Sequence, residues 1–135
     1  MTLQKSVAVR NAQLDALETA IGASAVLKIR TGAVPVNCAA ADSGAVVATI
    51  ALPADWMLAA ANGSKAKSGT WEDVAADATG TAAHFRIYGA DGVTCHLQGT
   101  VSIAGGGGDM IVDNTSFAVG QAFAIPSFTL AAGNP

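Results

Sequence analysis

At 135 residues the chain is long enough for one packed domain, burying roughly two-thirds of the surface its unfolded form exposes, so no disulfide or metal staple is required. Hydrophobic residues make up 51% of it and charged ones 13%, against about 25% charged in an ordinary domain, so the shortfall is in surface charge and part of the outside is expected to be covered. The net charge of -3 is unevenly spread, since everything after Lys67 carries only Arg86 against acids from Glu72 to Asp113, which argues against nucleic-acid or broad phosphate binding.

No apolar run approaches the roughly 18 residues of a membrane helix. The start, "MTLQKSVAVRNAQLDALETAIGA", is interrupted by Arg10, Asp15 and Glu18 where a signal peptide would hold its apolar region, so synthesis and retention in a cytoplasm are expected. The same stretch is the one with helical periodicity. Val7, Leu14, Leu17, Ala20 and Ile21 follow three- and four-residue steps and Gly22 stands at a C-cap position, which predicts a helix over about 8–21.

Beyond it, glycine, proline and Asx clusters separate short runs, the punctuation of an all-β domain over about 25–132. "SAVLKIRTG" sets Leu27 and Ile29 against Val26, Lys28 and Arg30, predicting a strand with one buried and one wet face. "SGAVVATIALP", stopped by Pro53, reads as a strand buried on both sides. "AAHFRIYGADG" and "VTCHLQGTVSI" read as a hairpin turning near Ala90 to Gly92. "DMIVD" and "QAFAIPSFTLAAG" supply the last strands, Pro126 marking an edge or a bulge. The neutral ending, with Asp113 as the one charge after residue 110, is expected to be buried in its own fold or against another chain.

Few residues carry chemistry. Gly105 to Gly108 read as a turn between strands, because a phosphate cradle needs a following helix and "DMIVDN" looks like strand. Cys38, Cys95, His84 and His96 are the soft ligands; Cys95 and His96 point to opposite sides of a strand, and a His84–His96 pair across the hairpin would give two ligands where structural zinc takes four, so no metal is expected and the histidines read as surface or interface side chains. The cysteines are expected as reduced thiols. No G-x-S-x-G is present, and Glu72 and Asp73 read as a solvated turn, so no catalytic residue and no cofactor is assigned and the protein is read as a non-enzyme. Lys65 and Lys67 read as a solvated loop. Trp56 and Trp71 read as core or interface anchors, the alternative being an exposed stacking platform for sugars. The sequons at Asn62 and Asn114 matter only in a secretory pathway.

The order of "VRNAQLDALETAIGASAVLKIRTG", "DATGTAAHFRIYGADGVTCHLQGTV" and "TSFAVGQAFAIPSFTLAAGNP" resembles small virion structural proteins of tailed bacteriophages, and within them capsid decoration, or cement, proteins. The resemblance implies a single-domain, jelly-roll-like β-sandwich after one N-terminal helix. It also implies binding to the major capsid protein on the outer capsid surface and self-association as a homodimer or trimer, without nucleic-acid or membrane partners. Trp56, Trp71, Phe123 and Phe128 are the candidate interface residues. A head-completion or tail component, or a carbohydrate-binding module, are the alternatives.

Overall fold

The computed structural model describes residues 3–133. Helix α1 runs Val7–Ile21; the Ser6 hydroxyl accepts the Val9 N–H (3.2 Å) at one end, and the Gly22 N–H reaches Glu18 O (2.9 Å) at the other. Its apolar stripe is shorter than expected. Leu14 and Ile21 are buried and Leu17 packs partly, but Val7 and Ala20 are exposed. α1 docks on the small hairpin of residues 57–67 and reaches Ala132 after β11, through side-chain bonds from Asn11 and Arg10 that lie beyond Val7.

Among the described residues eleven strands follow, and the fold is mainly β with one helix, as the sequence pattern implies. They are β1 Val26–Arg30, β2 Val46–Ala51, β3 Ser64–Ala66, β4 Glu72–Asp73, β5 Gly80–Thr81, β6 His84–Tyr88, β7 Cys95–Ile103, β8 Met110–Val112, β9 Ser116–Phe117, β10 Phe123–Ala124 and β11 Thr129–Ala131. Five form one sheet in the order β2-β1-β6-β7-β8; the rest pair as the ladders β10-β4, β11-β3 and β5-β9. All contacts in the sheet are antiparallel except β7-β8.

Register assigns the two faces of the sheet, because side chains paired across strands share a side. Leu27 pairs with Ile50 and Ile87, and Ile29 with Ala48 and Phe85, so these form the apolar face. The ladders cover it. Phe85 meets Phe128 edge-on at 5.5 Å, Phe128 lies 5.7 Å from Trp71, and Trp71 lies 6.1 Å from Trp56, a chain of rings through the middle of one continuous core. At ~25 cal/mol per Å2, each buried indole contributes several kcal/mol relative to exposure.

Several expectations change here. β2 is an edge strand with Thr49 and Ala51 exposed, not one buried on both sides; its outer rim is bonded to Asp73 and Asp77 and not to a further strand of the sheet. Glu72 and Asp73 form a short strand rather than a turn. Lys65 lies in β3 and is buried, not solvated. The neutral ending folds inward: Met110, Val112, Phe117, Ile125 and Phe128 all enter the core, with exposed Pro126 between β10 and β11. Gly105 to Gly108 do turn the chain, returning it in six residues to lie parallel to its own strand. Gly105 and Gly107 take positive φ, and a Cβ on Gly106 or Gly108 would meet Ser102 at 2.7 Å, so the turn is packed against β7 and opens into strand, not helix.

Candidate functional site

The second face of the sheet carries polar side chains: Lys28 beside Arg86 and Gln98, Arg30 beside His84, and Tyr88 opposite Cys95. Alternation predicts that such a face is wet, yet Arg30, His84, Arg86 and Tyr88 are all buried. Residues 31–45 cover them. This segment leaves β1 and returns to β2 with its mouth closed by Thr31 N–H to Ala45 O (3.0 Å) and Ala45 N–H to Thr31 Oγ1 (2.9 Å), an Ω-type loop.

Polar bonds, not apolar packing, hold the loop down. Arg86 gives Nε–H to Gln98 Oε1 (3.0 Å), Nη1 to Asp42 Oδ1 (2.6 Å), and Nη2 to the carbonyls of Asn37 (2.9 Å), Ala40 (3.1 Å) and Cys38 (3.4 Å). Arg30 reaches Asp42 Oδ2 (3.0 Å), the Tyr88 hydroxyl oxygen (3.2 Å) and Gly44 O (3.4 Å). The Tyr88 hydroxyl in turn donates to Asp42 Oδ1 (2.6 Å), and Gln98 Nε2 to Pro35 O (2.7 Å). One carboxylate therefore serves two guanidiniums, and loop carbonyls, Gln98 and the Tyr88 hydroxyl take the remaining donors. That is how two buried cations are tolerated in a mainly apolar chain.

The electrostatics follow from this crowding. Burial alone would push the Asp42 carboxyl up, but the Tyr88 hydroxyl and the two guanidiniums pull it below the usual carboxylate range. Tyr88 is raised by burial and by donating to Asp42. For Arg86, burial acts downward and the bond to Asp42 overrides it, so the cation is held. His84 is lowered, first by burial and then by Arg30 and Arg86, against the raising effect of Gly32 O and Asp42. Its Nδ1 lies 2.8 Å from Gly32 O, an acceptor, so Nδ1 carries the proton; the buried Nε2 has no partner among the described residues.

Between the loop and the β6–β7 turn lies a groove of about 620 Å3, lined by Cys38, Asp42, Arg86, Val93, Thr94 and Cys95. Within it every nitrogen of Arg86 is already bonded within the fold and Asp42 is shared by three donors. His84 and His96 do not pair: His84 lies opposite Thr100, and His96 is exposed next to the turn. Among the described residues no three His, Cys, Asp or Glu side chains converge as metal ligands. Two aliphatic side chains stand out from it: Val36 in the loop is 89% exposed and Val93 on the groove 76%.

Trp56, Trp71 and Phe128 are core side chains; the Trp56 indole donates to Gly22 O (3.1 Å) and the Trp71 indole to Ser68 O (3.1 Å), so no sugar platform is presented. Phe123 is half-buried against Phe117, with ring centroids 4.3 Å apart. The polar lattice itself was missed. Its signal was the run of Arg30, His84, Arg86 and Tyr88 on same-face strand positions beside a 15-residue segment with a single acid, Asp42.

Compared with protein-family models, with curated proteins and with solved structures, the chain matches none.

Proposed function

We propose that this protein is a structural component of a tailed-bacteriophage virion, a decoration protein that binds the outer capsid surface and reinforces contacts between capsomers. One observation supports this reading most. Large aliphatic side chains stand exposed at loop tips and at the start of α1: Leu3, Val7 and Val9 at the helix, Val36 and Val93 beside the polar lattice, Val74 and Val119 elsewhere. The last two sit on neighbouring loops, tied by Ala76 N–H to Gln121 O (2.7 Å) and Gly120 N–H to Ala76 O (2.8 Å).

Such side chains are affordable where a protein works covered by a lattice, because interface cores are depleted in charge. The lattice of Arg30, Asp42, Arg86 and Tyr88 fits the same role by fixing a long irregular loop, so that its tip is presented without a large ordering cost on binding. Each patch is small. Repeated over a symmetric shell, weak contacts add through multivalency. On this reading the partners are the major capsid protein and other copies of the chain, as a homodimer or trimer.

Purified protein mixed with capsids from particles lacking it tests the reading. Co-sedimentation that saturates, and that is weakened by Val36→Asp or Val93→Asp, is expected; a protein that stays in the supernatant at all concentrations contradicts it.

A further inference from the structure

We propose that Cys38 and Cys95 are a disulfide-forming pair whose closure staples the 31–45 loop to the start of β7. Both cysteines are free thiols, both are half-buried, and both line the groove of about 620 Å3. They arrive there from distant parts of the chain by two separate devices. Cys38 is placed by the loop, where its own carbonyl and those of Asn37 and Ala40 are gripped by Arg86. Cys95 is placed by the β6–β7 register, which shifts between Ile87 and Tyr88 and sets Cys95 opposite Tyr88.

Both thiols border that one groove, and the Cys95 thiol is raised to about 11, first by burial and then by Cys38. The Arg86 bond to the Cys38 carbonyl and the β6–β7 pairing of Cys95 keep both residues at this groove, where a disulfide needs their Cβ atoms within about 4 Å. With a small-molecule disulfide such as oxidised glutathione as oxidant, each cysteine gives up its hydrogen, one sulfur–sulfur bond forms between them, and the oxidant's bond breaks to release two thiols carrying those hydrogens. The bond would span the segment between the loop and β7, which includes β2 to β6, so it restricts a long stretch of the unfolded chain. The reduced protein already holds the loop through Asp42, so the staple locks an existing arrangement and does not create a new one. This inference does not depend on the virion reading.

The test uses wild-type protein, reduced, then equilibrated with oxidised glutathione at mildly alkaline pH. Expected are an intact mass lower by two hydrogens and a non-reduced tryptic peptide joining residues 31–65 to residues 87–135. The thermal midpoint should rise by roughly 5–15 °C, and Cys38→Ser and Cys95→Ser should each lose that difference between oxidised and reduced samples. Glutathione adducts on both cysteines, disulfide-linked dimers, or an unchanged mass after equilibration would overturn the proposal.

Discussion

Arg86 Nη1 lies 2.6 Å from Asp42 Oδ1, and through that contact the middle strand of the sheet holds a loop that has no strand of its own. Arg86 is 2% exposed and Asp42 37%, so the cation depends on the pair more than the anion does. Replacing Asp42 with Ala leaves two buried guanidiniums without a counter-ion. A loss of about 2–4 kcal/mol in urea unfolding is expected, together with faster amide exchange across 37–45.

His84 gives the same lattice a pH dependence near neutrality. Its folded affinity for a proton is below the unfolded value of 6.5, because burial and the facing Arg30 and Arg86 oppose the charge more than Asp42 favours it. As pH falls below that value the unfolded chain takes up more protons, so this contribution is fully present above 6.5 and is lost as pH falls below it. Thermal midpoints between about pH 7.5 and about pH 5 should therefore drop less for His84→Gln than for the wild type. Parallel curves would acquit His84.

The helix is tied to the body by Lys65, 2% exposed, 2.7 Å from Asp15 and 3.0 Å from Glu18. Lys65→Met keeps the stem and removes the charge, leaving Glu18 with its bond from the Met57 N–H (3.2 Å). A cost of about 1–3 kcal/mol is expected, and Asp15→Asn should cost less because Asp15 is half-exposed. Chemical denaturation of the two variants decides it.

Both indoles are enclosed, so the emission of the native protein should be blue-shifted and poorly quenched by iodide. Trp71→Ala removes a ring that touches Trp56 and Phe128 and should cost about 3–5 kcal/mol. Emission typical of water-exposed indole in the folded state would contradict the packing.

Local signals in the sequence were reliable where one element decides its own structure. The span of α1 with Gly22 after it, the alternation of Leu27 and Ile29, and the turn at Ala90 to Gly92 are all present in the fold. Asn62-Gly63 is a hairpin signal of the same kind, although the lysines after it suggest a solvated loop. Both residues take positive φ, and Ala61 and Ser64 exchange backbone bonds around them, which is how Lys65 comes to face α1. The polar lattice was not legible in this way. Arg30, Arg86 and His84 alternate as a wet face does, and only the long-range return of Asp42 and its neighbouring carbonyls makes them interior. Burial of Trp56 and Trp71 likewise depends on which ladders close over the sheet, and no local period records that.

The virion reading is tested most directly by the number of copies of this protein per particle, measured by quantitative mass spectrometry against the most abundant shell protein. A decoration protein should be present in a near-stoichiometric ratio to the shell subunit, in hundreds of copies on the order expected of a lattice-wide contact. A count on the order of six to twelve, as closed cyclic symmetry at one vertex would give, or absence from the particle, would contradict it.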